Sequence, residues 1–171
     1  MTSEEFKIEL MPLKDKLFRF AASILSDVDE AEDVVQDTFL KLWSKREKLG
    51  EVRNIEAFAM TTTRNLSLDR IKSFHHKTIR MEEKTDIPSD KGLDELLEER
   101  DSTARAKKII EKLPETQRTV MHLRDVEELE LSEIAETMGM NLNAVRVNLS
   151  RARKSVRDSL INLYQYEKRI V

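Results

Sequence analysis

The stretch Leu131-Ser132-Glu133-Ile134-Ala135-Glu136-Thr137-Met138-Gly139-Met140-Asn141-Leu142-Asn143-Ala144-Val145 has the spacing of a helix-turn-helix. Each position has a physical reason. Ala135 is small enough for a second helix to cross closely. Gly139 can take the left-handed conformation that ends the first helix. Asn141 can cap the next helix, and Val145 turns back into the core with Ile134 and Met138. Beyond the cap, Arg146, Ser150 and Arg153/Lys154 lie about one turn apart and share a face. Val145, Leu149, Ala152 and Val156 form the opposite, buried stripe. A polar, basic face on the second helix suits the major groove, where Arg can bond guanine and hold phosphate. The same pattern fits an ordinary helical hairpin whose basic face meets water.

Upstream, Pro114 predicts the end of one helix at Leu113 and sits well at the first position of the next. Further back, residues 77–103 lose their apolar periodicity. Pro88, Gly92 and the run Glu82-Glu83-Lys84-Thr85-Asp86 read as a flexible acidic linker that turns helical near Leu93. Charge follows the same division. The chain carries −3 overall, but residues 51–80 carry +3, residues 81–103 carry −6 and residues 141–171 carry +5. Blocked charge of this kind gives a local attraction for phosphate that the total hides.

The first half reads as three helices. Leu10, Leu13, Leu17, Phe20 and Ile24 mark one face of a helix over 10–25, with Pro12 in its first turn. Asp29 and Glu32 have capping-box spacing and open a second, whose buried stripe is Ala31, Val34, Val35, Thr38 and Leu42. Residues 48–54 read as a loop containing Gly50, and Asn54 caps a third helix running through Phe58, Leu66 and Ile71 towards His75. The fold class is therefore all-α: two small helical domains, 1–77 and 104–171, joined by the linker 78–103. With 3 Gly and 3 Pro in 171 residues, an all-β fold lacks its turns, and with no Cys there is no disulfide scaffold, thiolate metal site or cysteine nucleophile. No apolar run approaches the roughly 20 residues of a membrane helix, and the acidic start Met1-Thr2-Ser3-Glu4-Glu5 is unlike a signal peptide. The expected setting is cytoplasmic.

Two further patterns carry chemistry. On the second helix Asp33, Gln36, Asp37 and Lys41 form a polar stripe opposite the buried one. It suits protein docking better than a metal, since no histidine lies nearby. Trp43, the only tryptophan, reads equally as a core or an interface anchor. On the third helix Arg64, Asn65, Arg70 and Lys72, followed by His75, His76 and Lys77, make a cationic surface with amide hydrogen-bonding capacity, or simply a solvated face. Adjacent histidines point about 100° apart on a helix and have no third ligand, so no metal is expected. Phosphate loops, nucleophile motifs and triads are absent, so neither an enzyme nor a cofactor is expected.

In this order the patterns resemble an extracytoplasmic-function (ECF) sigma factor of bacterial RNA polymerase, in the sigma-70 family. "LFRFAASIL" with "DEAEDVVQDTFLKLW" is similar to regions 2.1–2.2, "AFAMTTTRNLSLDRIK" to regions 2.3–2.4, and "LPETQRTVMHLRDVEELELSEIAETMGMNLNAVRVNLSRARKSVRDSL" to region 4. The resemblance implies transcription initiation with polymerase core, docked on the β′ clamp and β flap, at promoter DNA and under an anti-sigma factor. It implies core-polymerase binding by Asp33, Gln36, Asp37, Lys41 and Trp43. The −10 strand would be held by Phe58, Arg64, Asn65, Arg70 and Lys72 with the loop 48–54. The −35 duplex would be read by Arg146, Val147, Ser150 and Arg151, with Arg153 and Lys154 near phosphate. The acidic linker would thread polymerase channels. Phe58, Met60 and Thr61 stand where many relatives have Trp, Tyr and a basic residue, which implies weaker strand opening. The usual hydroxyl cap before the helix-turn-helix falls at Glu130, which implies a weak helix start. The alternative is a stand-alone helix-turn-helix regulator whose first half dimerises; it would place apolar residues where the acidic stripe lies, and would bind a short palindrome alone.

Overall fold

The computed structural model describes residues 1–81 and 102–170, and the acidic stretch 82–101 lies outside them. Nine α-helices are described: α1 (Ser3–Leu10), α2 (Lys14–Leu25), α3 (Val28–Ser44), α4 (Arg46–Leu49), α5 (Ile55–Met81), α6 (Ser102–Glu111), α7 (Glu115–Asp125), α8 (Leu131–Met138) and α9 (Leu142–Ile170). No strand occurs among the described residues.

The apolar stripe from Leu10 to Ile24 is carried by two helices rather than one. Thr2 and Glu5 close a capping box, with the Thr2 N–H donating to Glu5 Oε2 at 2.7 Å, and α1 follows. Pro12 then breaks the path in a 3₁₀ turn, Met11–Leu13, before α2 resumes. Leu10, Leu17, Phe20 and Ile24 are buried all the same. The start of α3 also differs from the expected Asp29 box. Asp27 is the cap, because its backbone is extended and its carboxylate accepts the Glu30 N–H at 3.0 Å. Asp29 sits inside the first turn, where the helix dipole favours a negative charge. Part of the expected 48–54 loop is helical too: α4 ends with Leu49 buried in the core. Asn54 does cap α5, accepting from the Ala57 N–H at 2.9 Å.

A run of three threonines is a poor helix former, yet Thr61, Thr62 and Thr63 lie within α5. Their hydroxyls donate to the carbonyls of Ala57, Phe58 and Ala59 at 2.8, 2.9 and 3.0 Å. This back-bonding satisfies each hydroxyl within its own helix and lets Thr62 and Thr63 be buried, with Thr61 half-buried beside them. Thr63 also meets Thr38 of α3 at 3.2 Å where the two helices cross.

In the second half Pro114 is the cap of α7, one position before its expected place. α8 starts firmly, correcting the expected weak start. Glu130 has extended cap geometry, and its N–H donates to the Glu133 carboxylate at 2.8 Å. Gly139 ends α8 at φ +62°, and Asn141 caps α9 by accepting the Ala144 N–H at 2.8 Å. Val145, Leu149, Ala152 and Val156 are all buried.

The two halves pack on each other. Phe20, Val34 and Met60 belong to one apolar cluster with Val120, Leu123, Ile134 and Val145. Phe20 stacks on His122 at 6.0 Å between ring centres. Polar links reinforce the seam. Glu127, whose side chain is fully buried, receives Arg19 Nε at 2.9 Å and Nη2 at 2.7 Å. Lys16 pairs with Glu56 at 2.8 Å and reaches the Glu127 carbonyl at 3.4 Å. A two-pronged guanidinium is the arrangement that makes a buried carboxylate tolerable.

Candidate nucleic-acid and docking faces

α9 projects from the helix-turn-helix with its apolar stripe turned inward. Arg146, Val147, Ser150, Arg151 and Lys154 are exposed, and neither Arg146, Arg151 nor Lys154 forms an ion pair among the described residues. Arg153 is exposed as well, but its guanidinium is tied to Asp125 at the end of α7, which raises its pKa through that hydrogen bond. Arg153 thus braces α9 against α7, while its neighbours stay available. The result is a cationic strip over residues 146–154, about two and a half turns of the helix, with neutral Val147 and Ser150 between the charges. A strip of this kind has the dimensions and charge to enter a major groove.

The α5 set is distributed differently. Asn65 and Lys72 are exposed. Seven residues apart, they lie within about 20° of each other around the helix. Phe58 is half-buried, Met60 fully buried, and the Thr61 hydroxyl also reaches the Thr137 carbonyl of α8 at 3.3 Å. Arg64 points to the second half, where Nη2 lies 3.4 Å from Glu115 of α7, and its Nε is buried without a partner. Arg70 turns to α3 and binds Glu30 at 2.9 Å and Asp37 at 2.9 Å, with Asp33 at 4.0 Å. The Asp37 hydrogen bond is the main cause of its raised pKa. The expected cationic surface is therefore divided three ways. The loop before α5 is open to a cleft in which Arg53 and Asn54 face Glu133 and Glu136 of α8. The side chains of His75 and His76 lie outside the described residues, and no metal-holding cluster exists among those described.

On α3 the stripe faces outward. Asp33, Gln36 and Lys41 are exposed and Asp37 is half-exposed. Trp43 resolves as a surface anchor, 38 % exposed, held edge-on by Phe6 at 5.1 Å and covered by the Arg46 guanidinium at 4.7 Å. Sequence reasoning missed Leu40, which is 67 % exposed on this same face. Its signal was present: Leu40 follows Gln36 by four residues, at the period of the polar stripe rather than of the buried one. A second missed feature is a groove of ≈ 530 Å³ between α2, α6 and α7, lined by Phe18, Ala22, Ile110, Met121 and Val126 among others. It joins both halves of the chain. No described helix is long and apolar enough to cross a membrane.

Comparison with known proteins follows the same division. Residues 11–76 match the family description "Sigma-70 region 2", and residues 104–156 match "Sigma-70, region 4". The chain is 30 % identical to the RNA polymerase sigma factor SigV of Bacillus subtilis, over 86 % of each chain. It is 27 % identical to the ECF RNA polymerase sigma factor SigW of the same organism, over 88 % of this chain and 86 % of that one. Similarity to "Probable RNA polymerase sigma factor RfaY" of Xanthomonas campestris is 29 % over 84 % of this chain, which spans only 37 % of that longer protein. Among solved structures, the sigma factor RpoE of Bartonella quintana, crystallised with the anti-sigma factor NepR, superposes with a TM-score of 0.74. It is 24 % identical, and the match covers 92 % of this chain and 97 % of that one.

Proposed function

This chain belongs to the sigma-70 family of RNA polymerase sigma factors, in its extracytoplasmic-function group, and from that premise we propose how its surfaces divide the work of promoter recognition. α9 reads the −35 duplex, with Arg146 and Arg151 at base edges, Val147 and Ser150 against the groove floor and Lys154 on phosphate. The exposed edge of α5, Asn65 and Lys72, together with the loop 48–54, receives the unpaired −10 strand. The outer face of α3, with Asp33, Gln36, Asp37, Lys41, Trp43 and Leu40, docks on the β′ clamp of polymerase, while the second half meets the β flap. The function is that of a specificity subunit acting in the cytoplasm with polymerase. In this reading the chain has no catalytic step of its own.

The observation that carries the reading is the contrast on α9, where an inward apolar stripe is matched by outward Arg146 and Arg151, which no carboxylate engages among the described residues. The groove between α2, α6 and α7 supports regulation by an anti-sigma factor, since an amphipathic helix laid there would touch both halves at once. Promoter-directed run-off transcription with purified core polymerase tests the division. Arg151→Ala is expected to lose −35-dependent transcripts while still being pulled down with core. Asp37→Ala is expected to lose core binding first. Equal loss of core binding in both would refute the assignment.

A further inference from the structure

We propose that Arg70 is a positioning residue of the polymerase-docking face rather than a ligand of the −10 strand; this rests on the reading of α3 as that face. Three observations meet here. First, Arg70 stands about 140° around α5 from Asn65, whereas Lys72 stands within about 20° of it, so a strand running past Asn65 and Lys72 leaves Arg70 on another side of the helix. Second, the guanidinium is already forked between two carboxylates of α3, Nη1 to Glu30 Oε2 and Nη2 to Asp37 Oδ2, both at 2.9 Å. Third, Glu30, Asp33 and Asp37 sit at i, i+3 and i+7, one face of one helix, where three like charges repel.

Arg70 resolves that repulsion from a neighbouring helix. Glu30, at 24 % exposure, is the inner end of the fork, and Asp37, at 46 %, the outer. Only Oδ2 of Asp37 is engaged by Arg70. Its second oxygen remains for a partner, on a side chain whose rotamer is fixed in advance. A docking surface with fixed side chains loses less freedom on binding, and the gain appears mainly as slower dissociation. A point charge at this place would not suffice, because the two bonds need the planar fork of a guanidinium.

The test uses the full chain, core RNA polymerase and a fluorescent single-stranded DNA oligonucleotide of mixed sequence. Arg70→Ala is expected to raise the dissociation rate from core about tenfold, with the association rate unchanged or slightly higher because a cation has left an acidic face. Arg70→Lys, which keeps the charge, should behave like Arg70→Ala. In an Asp37→Asn background most of the effect of Arg70→Ala should vanish, as it must when one residue acts through the other. Glu30→Gln loosens the fork from its inner end while leaving Arg70 in place, and should raise the dissociation rate several-fold even if Arg70→Ala folds poorly. Binding of the oligonucleotide by the polymerase complex should keep its affinity and its salt dependence. Full rescue by Arg70→Lys, a dissociation rate within twofold of the parent in Arg70→Ala, or a salt slope for the oligonucleotide reduced by about one would each overturn the proposal. If Asp33→Asn and Asp37→Asn both leave core affinity untouched, the docking face itself is misplaced and the role of Arg70 falls with it. That outcome is distinguishable, because it is read on variants that retain Arg70.

Discussion

On α9, Arg146, Arg151 and Lys154 stand in solvent without ion-pair partners among the described residues. On α5, Arg64 is drawn to Glu115 and Arg70 to Glu30 and Asp37. Both segments are net basic along the chain, +3 over residues 51–80 and +5 over residues 141–171. What separates them is where tertiary packing brings carboxylates. α9 packs by one stripe, and Arg146, Arg151 and Lys154 on its other side meet no carboxylate among the described residues. α5 is enclosed by α3 on one flank and by α7 and α8 on another, and each flank supplies acids. A basic helix thus offers unpaired cations only on the sides that the fold leaves unaccompanied.

The largest expected effect comes from breaking a paired cation at the seam. Arg19→Ala leaves the fully buried Glu127 carboxylate without its fork and is expected to cost on the order of 2–4 kcal/mol in urea unfolding. Next come the free cations, with the opposite signature. Arg146→Ala and Arg151→Ala should each lose about 1–3 kcal/mol of −35 duplex affinity by fluorescence anisotropy, while unfolding stability stays within about 0.5 kcal/mol. If both losses instead appeared in stability, the contrast between α5 and α9 would fail. Arg64→Ala sharpens the comparison at smaller scale. Its pair is long and mostly shielded, so about 1 kcal/mol of stability should go, with duplex binding unchanged.

The smallest effect is a slope. Burial is the main influence on His122 and lowers its pKa, while Glu127, whose carboxylate lies 3.3 Å away without completing a hydrogen bond, pulls the other way. The folded chain therefore binds fewer protons at this imidazole than the unfolded chain. The stability it contributes is present above the ordinary histidine value of about 6.5 and is lost as pH falls through the lowered one. His122→Gln should flatten the fall of Tm with acidification below that point. An unchanged slope would show that the seam does not sense this group.

Periodicity told the inward faces well. Ala31, Val34, Val35, Thr38 and Leu42 were expected to be buried and are, as are Val145, Leu149, Ala152 and Val156. A repeat of 3.6 residues records which side of a helix avoids water, and burial is what such a repeat can report. Helix starts were less legible. Asp27 and Asp29 are chemically equal as caps, and only the extended backbone at Asp27 decides between them. Ion-pair partners were not legible at all. Arg70 finds Asp37 at a distance of 33 residues, and Arg19 finds Glu127 at 108, spacings that no local pattern encodes. Five of the −35 candidates, Arg146, Val147, Ser150, Arg151 and Lys154, lie exposed on one helix, as a reading confined to that helix expects, whereas Arg153 is taken up by Asp125 of α7. The −10 candidates were split because their reading needed three helices.

The fork between Arg19 and Glu127 has a consequence for anyone exchanging modules among relatives. A chimaera that grafts a foreign DNA-reading half onto residues 1–81 keeps the donor guanidinium but inherits a new acceptor position. Unless the transplanted turn after α7 presents a carboxylate there, the hybrid opens a polar wound in its own middle. This cross-junction couple, whose acceptor is the fully buried one, is thus a first criterion by which libraries of hybrids can be sorted before any promoter is tried.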